Sequence, residues 1–181
     1  MRKVLVAINV TLDGYCDHTA VIADEELHDY YSKLLDNVGI SIMGRVTYQL
    51  METYWPMVAR DKVGSPAEIS FAEKLEKIGK IFVSNAIDQV NWANTEIIKD
   101  KIKETVIELK NGTGKDILIG GTTIISYLTE ENLIDEFIFV VHPIILGKGK
   151  KLFSETITKN DLKLVNSKTL GSGVIALHYK Y

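Results

Sequence analysis

The chain reads Ile40-Ser41-Ile42-Met43-Gly44-Arg45-Val46-Thr47 at positions 40–47, an apolar strand followed by a glycine and the start of a helix. The same design returns at positions 117–123 as Ile117-Leu118-Ile119-Gly120-Gly121-Thr122-Thr123. Each segment directs main-chain N–H groups and a helix N-terminus beyond the end of its strand, and such helix ends bind anions. We refer to residues 44–47 as the first corner and residues 120–123 as the second corner. Together they suit a ligand with several phosphates, and a dinucleotide is the first candidate.

Strands and helices alternate on both sides of these corners. Short β-branched or apolar runs predict strands, which cover 4–10, 40–43, 80–84, 96–98, 116–119 and 137–141. Apolar residues at helical spacing predict helices, which begin near Asp24, Arg45, Pro66, Lys101 and Thr122. The C-terminal part of the sequence does not alternate in this way. Residues 162–170 and 174–181 are typical of strands, and the turn Gly171-Ser172-Gly173 joins them as an antiparallel hairpin.

Local signals predict where several helices begin and end. Ser65-Pro66-Ala67-Glu68 is a capping box with proline at the first helical position, and Asp100 is expected to cap the helix that follows it. Trp55-Pro56 is expected to interrupt the helix that begins at the first corner, which then ends near residue 51. Residues 49–65 would be an irregular stretch whose large apolar side chains either cover a site or fill the core.

The alternation of strands and helices along the chain predicts a single α/β domain over residues 1–181. We expect a three-layer α/β/α sandwich with a mixed, mostly parallel sheet and an antiparallel hairpin at its C-terminal edge. Ligands of open α/β sheets lie beyond the carboxyl ends of the parallel strands, where both corners are expected. The alternative is that both corners are ordinary tight turns.

Composition excludes several classes of function. The formal net charge of −3 lacks the basic excess of nucleic-acid-binding proteins. The single Cys16 and the scattered histidines give no spaced set of metal ligands, so no metal site is predicted. Neither an apolar run of membrane-spanning length nor a signal-peptide pattern is present, so we expect a soluble cytoplasmic protein.

Other glycine motifs in the sequence do not support the hypothesis of dinucleotide binding. Gly112-Thr113-Gly114-Lys115 and Gly147-Lys148-Gly149-Lys150 lack the full spacing of a phosphate loop and are interpreted as turns. No Gly-x-Gly-x-x-Gly pattern follows the first strand, which disfavours a standard Rossmann dehydrogenase.

Three charged residues are candidates for chemistry or recognition. Arg45 is placed to bind a phosphate such as the 2′-phosphate that distinguishes NADP from NAD, although a solvated surface arginine is the alternative. Asp13 follows the first strand and is a candidate catalytic acid, but Asp-Gly is also common turn chemistry. Glu26, in the first turn of the next helix, is the second candidate acid, and its alternative is to complement the helix dipole.

The order of these features resembles the dihydrofolate reductase superfold over nearly the whole chain. The landmarks are Val6-Ala7-Ile8-Asn9, Ile42-Met43-Gly44-Arg45-Val46-Thr47, Phe82-Val83-Ser84 and Ile119-Gly120-Gly121. Thr11-Leu12-Asp13-Gly14-Tyr15 and His142-Pro143-Ile144-Ile145-Leu146-Gly147-Lys148-Gly149 look more like the bacterial pyrimidine reductases, the reductase half of the riboflavin-pathway deaminase/reductase.

This resemblance implies NADPH bound in extended form across the sheet. Gly44, Arg45 and Thr47 would hold phosphate groups, and Gly120, Gly121, Thr122 and Thr123 would hold the pyrophosphate. Ser84 would lie on the adenosine side and Ala7 beside the nicotinamide. The substrate pocket would lie between the first strand, the first helix and the region from Tyr48 to Trp55.

The sequence therefore predicts an NADPH-dependent reductase that acts on a small heterocyclic substrate, most like the riboflavin-pathway pyrimidine reductases. Dihydrofolate reduction is the enzymatic alternative, and a non-catalytic NADP-binding module is the alternative from another class. Related reductases tend to form homodimers, and the apolar run Val174-Ile175-Ala176-Leu177 is expected at an exposed sheet edge that favours such pairing.

Overall fold

The computed structural model describes residues 1–153 and 158–181. The strands are β1 Val4–Thr11, β2 Val38–Gly44, β3 Gly79–Val83, β4 Thr95–Ile98, β5 Asp116–Gly120, β6 Glu136–His142, β7 Lys163–Thr169 and β8 Ile175–Lys180. The α-helices are α1 Glu25–Leu35, α2 Arg45–Asp61, α3 Pro66–Lys77, α4 Ile102–Asn111 and α5 Thr122–Glu130. A 3-10 helix covers His18–Ala20.

The strands form one sheet in the order β4-β3-β2-β5-β1-β6-β8-β7. The pairs among β1 to β6 are parallel, whereas β8 pairs antiparallel with both β6 and β7. One face buries an apolar cluster with side chains of α1, α2 and α3, and the other buries a cluster with side chains of α4 and α5. The predicted three-layer α/β sandwich with a terminal antiparallel hairpin is therefore confirmed.

Helix α2 differs from the prediction, because it continues through Pro56 to Asp61 instead of ending near residue 51. Proline removes one helical hydrogen bond, but packing on both sides of it holds the helix together. Trp55 packs edge-on against Phe71 of α3 with ring centroids 4.7 Å apart, and Val58 is fully buried. The predicted irregular stretch 49–65 is thus mostly helix.

Two smaller predictions were also wrong. Asp100 does not cap α4, because the N-cap is Lys101 and the Asp100 carboxylate accepts a hydrogen bond from Asn85 instead. The apolar run at 174–177 does not form an exposed edge, since β8 lies between β6 and β7 and Val174 is fully buried. The edge strand at this end of the sheet is β7, all seven residues of which are exposed. By contrast, the capping box between Ser65 and Glu68 is present as predicted.

No helix in the described ranges is both long enough and apolar enough to cross a membrane. Residues 1–153 and 158–181 also contain no group of three potential metal ligands among their histidines, cysteines and carboxylates.

Candidate functional site

The two glycine corners lie side by side at the carboxyl edge of the sheet. Strands β2 and β5 are parallel neighbours, and their register places Met43 opposite Gly120. A Cβ atom built on Gly121 would lie only 3.6 Å from the main-chain nitrogen of Gly44. The corners that the sequence predicted to act together are therefore adjacent.

Glycine at position 121 is required by both conformation and space. Gly121 has a φ of +100°, which side chains of L-residues rarely adopt, and an added Cβ would lie 3.2 Å from Oγ1 of Thr47. At position 120 an added Cβ would lie 3.4 Å from Cγ2 of the same threonine. The main chain at the second corner thus approaches α2 more closely than a side chain would allow, which is typical of a backbone that binds a phosphate.

The helices that begin at these corners lack side-chain caps. Gly44 is the N-cap of α2 and Gly121 the N-cap of α5, and neither supplies a capping side chain. Helices α1 and α3 are capped instead by the side chains of Asp24 and Ser65. The first-turn N–H groups of α2 and α5 therefore remain as donors for an external anion, and the two helix dipoles add to the attraction.

Cationic side chains surround the corners. Arg45 is exposed, and no carboxylate of the described residues pairs with it. The Lys150 ammonium donates a hydrogen bond to Oγ1 of Thr123 at 3.1 Å, which places a second cation at the second corner. The sequence predicted a turn at 147–150 and supplied a family landmark at 142–149, but neither predicted this contact of Lys150. The alternation of glycine and lysine was the signal for this additional contact.

Ser84 lies at the same edge, directly after β3, whose residue Val83 is in register with Gly44. Its hydroxyl oxygen accepts hydrogen bonds from the main-chain N–H groups of Ala86 and Ile87. Ser84 is buried, so its first role is to shape the loop that follows β3. The predicted contact of Ser84 with an adenosine group stays a prediction.

Asp13 anchors a loop. Its carboxylate accepts hydrogen bonds from the Thr11 hydroxyl at 2.6 Å and from the main-chain N–H groups of Gly147 and Leu146 at 2.7 and 3.1 Å. The hydrogen bonds from Thr11 and Gly147 lower the pKa of Asp13 to about 2. A carboxyl group with this pKa is ionised at neutral pH and is a poor proton donor, so we assign Asp13 to holding the loop against β1.

Glu26 also has a structural partner. Its side chain is exposed, and Oε2 accepts a hydrogen bond of 2.6 Å from the main-chain N–H of Gly171 in the β7–β8 turn. The neighbouring Leu27, not Glu26, is buried against the sheet. Glu26 thus ties the start of α1 to the terminal hairpin.

The two residues predicted to line the substrate pocket differ in how deeply they are buried. Tyr48 is 1% exposed and stacks on Phe82 with ring centroids 4.2 Å apart, so we assign it to the core and not to a substrate pocket. Trp55 is half-buried and contacts the ring of His28 at 5.6 Å. Ala7, also half-buried, packs against the same apolar cluster as Trp55.

A polar network on β1 was missed by the sequence analysis. Oδ1 of Asn9 accepts a hydrogen bond from the Tyr31 hydroxyl at 3.0 Å and lies 3.1 Å from Nε2 of His142. Nδ1 of His142 accepts from the main-chain N–H of Ile22 at 3.1 Å. Nε2 therefore carries the proton and donates to Asn9. The available signal was a polar residue at position 9 within an otherwise apolar strand.

Burial keeps this network neutral. His142 is 1% exposed, and burial lowers the pKa of its imidazole. Burial also raises the pKa of Tyr31, so its hydroxyl stays protonated and acts as a donor. Both donors are thus in the protonation states that the hydrogen bonds to Asn9 require.

Known proteins resemble this chain in both sequence and structure. The RibD C-terminal domain family matches residues 2–176. The uncharacterized protein YyaP of Bacillus subtilis (strain 168) is 30% identical over 184 residues, which span 99% of this chain and 95% of that protein.

Two solved structures share the fold at low sequence identity. The diaminohydroxyphosphoribosylaminopyrimidine deaminase/5-amino-6-(5-phosphoribosylamino)uracil reductase of Thermotoga maritima has a TM-score of 0.69 at 15% identity, covering 99% of this chain and 56% of that chain. Dihydrofolate reductase from Enterococcus faecalis, solved with NADP(H), has a TM-score of 0.64 at 12% identity, covering 98% and 95%. These similarities show that the fold is dihydrofolate reductase-like.

Proposed function

The chain belongs to the RibD C-terminal domain family, and from this premise we propose that it is an NADPH-dependent reductase of a small heterocyclic substrate. The proposed substrate class is that of 5-amino-6-(5-phosphoribosylamino)uracil, the compound named for the Thermotoga maritima relative. The observation that carries the proposal is the contact between the two glycine corners, which presents two uncapped helix N-termini at one edge of the sheet.

The residues at this edge fit a dinucleotide phosphate. Main-chain N–H groups at Gly44 and Gly121 and the hydroxyls of Thr47, Thr122 and Thr123 are suitable donors to phosphate oxygens. Arg45 supplies the positive charge that a third phosphate, on the ribose, requires, and Lys150 adds positive charge beside the pyrophosphate at the second corner. We propose that Ser84 lies on the adenosine side and Ala7 beside the nicotinamide, and that Gly120 allows the cofactor close approach to β5.

The cofactor, when bound, supplies a hydride at the nicotinamide ring. The chain's own contribution is to hold the two reactants in contact on the β1 face that carries Ala7. Asp13 and Glu26 are both held by main-chain N–H groups, so we propose that the accompanying proton comes from solvent water.

The position of Glu26 disfavours folate as the substrate. By the family resemblance, a dihydrofolate reductase uses a carboxylate on the first helix to bind and help protonate the pterin. Here Glu26, the residue that the resemblance matches to that carboxylate, is exposed and bonded to Gly171 of the terminal hairpin. Pyrimidine reduction therefore remains the preferred activity.

Calorimetry with NADPH and NADH, followed by NADPH absorbance assays, tests this proposal. We expect micromolar or tighter binding of NADPH, weaker binding of NADH, and NADPH oxidation with the ribosylaminouracil phosphate but not with dihydrofolate. Absence of NADPH and NADP binding would contradict the whole proposal. Binding without turnover of either substrate would favour the NADP-binding module, and turnover of dihydrofolate would favour the folate alternative.

A further inference from the structure

The side chain of Asn9 projects from β1 on the same face as Ala7, two residues further along the strand. Alternate residues of a strand share a face and lie about 7 Å apart, roughly the width of one heterocyclic ring. Strand β5 ends at Gly120, one residue beyond the pairing of Val6 with Ile119. Asn9 therefore lies past the end of β5, at the carboxyl edge where the cofactor corners meet.

The orientation of the Asn9 amide is fixed by two donors. Tyr31 and His142 both donate to Oδ1 and occupy its two lone pairs. Since the His142 proton lies on Nε2, a flipped amide would direct its NH₂ group at the Nε2–H donor, which is unfavourable. The Oδ1 atom must therefore face inward and the Nδ2 amino group outward.

The outward amino group has no hydrogen-bond partner in residues 1–153 and 158–181. No acceptor of the described residues bonds to Nδ2, and the only buried side-chain atom without a partner in those residues is Oγ of Ser172. Nδ2 is thus open to solvent. Ala7, on the same face of β1, packs against the apolar cluster that also holds Ile22 and Trp55.

We propose that Asn9 is a substrate-recognition residue that donates a hydrogen bond from Nδ2 to a carbonyl oxygen of the heterocycle. This inference rests on the proposed reductase function and narrows its substrate class to neutral rings bearing a carbonyl acceptor. A cationic, amine-rich ring would meet a donor at this position. Tyr31 and His142 are positioning residues, because they act on the substrate only through Asn9.

The Asn9→Asp variant offers a direct test, because its geometry keeps the inward acceptor for Tyr31 and His142 but replaces the outward donor with an acceptor. The probes are uracil, which presents carbonyl oxygens, and 2,4-diaminopyrimidine, which presents amino groups. Their binding is measured by ligand-observed NMR on protein saturated with NADP. We expect the wild type to prefer uracil by roughly tenfold, the equivalent of one hydrogen bond, and Asn9→Asp to reverse that preference.

Two further measurements keep the inference falsifiable. In the wild type, uracil should shift the side-chain NH₂ signals of Asn9, an effect that a purely structural asparagine would not show. If Asn9→Asp does not fold, Tyr31→Phe should weaken uracil binding several-fold and leave NADP affinity unchanged. Equal preference in wild type and Asn9→Asp, or an unaffected Tyr31→Phe, with normal NADP binding would overturn this inference alone. Loss of NADP binding by the wild type would instead overturn the proposed function.

Discussion

Oγ1 of Thr47 lies 3.2 Å from the point that a Cβ atom on Gly121 would occupy. A side chain at position 121 must therefore displace Thr47 and adopt a φ of +100°, which costs roughly 1–2 kcal/mol for a residue other than glycine. We predict that Gly121→Ala weakens NADPH binding at least tenfold in calorimetry and lowers the thermal midpoint.

The matched control is Gly173→Ala in the β7–β8 turn. Gly173 has a φ of +84°, but the nearest heavy atom to an added Cβ is 3.7 Å away, at ordinary contact distance. We expect a similar loss of stability with unchanged NADPH affinity. If both variants bind NADPH like the wild type, the second corner is a tight turn without a binding role.

Arg45 is expected to discriminate NADPH from NADH. It is exposed at the first turn of α2 and has no carboxylate partner in the described part of the chain. Arg45→Ala should weaken NADPH binding by roughly 1.5–3 kcal/mol, as for a charged hydrogen bond, and should weaken NADH binding far less. Arg60→Ala is the control, because Arg60 lies at the other end of the same helix and pairs with Asp61. Equal losses for both cofactors would exclude recognition of the 2′-phosphate by Arg45.

The corners illustrate what the sequence could predict. A strand, a glycine and a helix start are local signals, and so is the capping box at Ser65, so each was found where the pattern predicted it. The family resemblance extended this to the fold, which the sheet order and the known relatives confirm.

Features that depend on contacts distant in sequence were missed. Asn9 and His142 are 133 positions apart and meet only because β1 and β6 are paired in parallel. The continuation of α2 through Pro56 depends on the packing of Trp55 against α3. Asp13 and Glu26 were plausible acids by position, but their partners at Gly147 and Gly171 belong to segments whose placement the local sequence does not encode.

The loop-anchoring role of Asp13 predicts a local change in hydrogen exchange. Asp13→Ala removes the acceptor for the main-chain N–H groups of Leu146 and Gly147, which should then exchange faster in NMR or mass-spectrometric experiments. Asp17→Ala is the control, since in the described ranges Asp17 accepts hydrogen bonds only from Thr19 and should affect exchange there alone. Unchanged protection at Leu146 and Gly147 would refute the anchoring role.

The low pKa of Asp13 also predicts that the protein loses stability at acidic pH. Its folded pKa of about 2 lies below the usual aspartate value of 3.8, so its stabilising contribution is present above pH 4 and is lost as the pH falls towards 2. The difference in thermal midpoint between wild type and Asp13→Asn should therefore shrink over that interval. A difference that is constant from pH 5 to pH 2 would contradict the assigned hydrogen bonds.

Buried Lys80 predicts that the stability of the protein rises at alkaline pH. The side chain is 2% exposed, and Nζ donates to the carbonyl oxygens of Leu75 and Ile78 at the end of α3. Burial lowers the pKa of Lys80 from 10.5 to about 8, so the folded chain binds fewer protons than the unfolded chain between these values. Stability should rise through that interval, by up to about 3 kcal/mol at roughly 1.4 kcal/mol per pKa unit.

The variant Lys80→Met isolates this effect, because it keeps an unbranched side chain and removes the titrating group. Thermal midpoints of both proteins are compared from pH 7 to pH 10.5, so that other titrating groups cancel. The wild type should gain stability relative to Lys80→Met as the pH rises. Parallel profiles would mean that Lys80 keeps a normal pKa despite its burial.

The exposed strand β7 leads to the last prediction, that the protein forms a homodimer. This strand is one of the two edges of the sheet, the other being β4, and Leu164 and Val165 on it are 56% and 48% exposed. Unpaired edges with exposed apolar side chains favour strand pairing between copies, and a twofold arrangement would bring each β7 against its partner. Light scattering at micromolar concentration should therefore give twice the chain mass.

Val165→Lys should shift the mass to that of a monomer, because it places like charges across the twofold axis. Ile107→Lys, an equally drastic change at an exposed position of α4, should leave the dimer intact. A monomeric wild type, or a dimer that Val165→Lys leaves unchanged, would show that β7 is not the dimer interface.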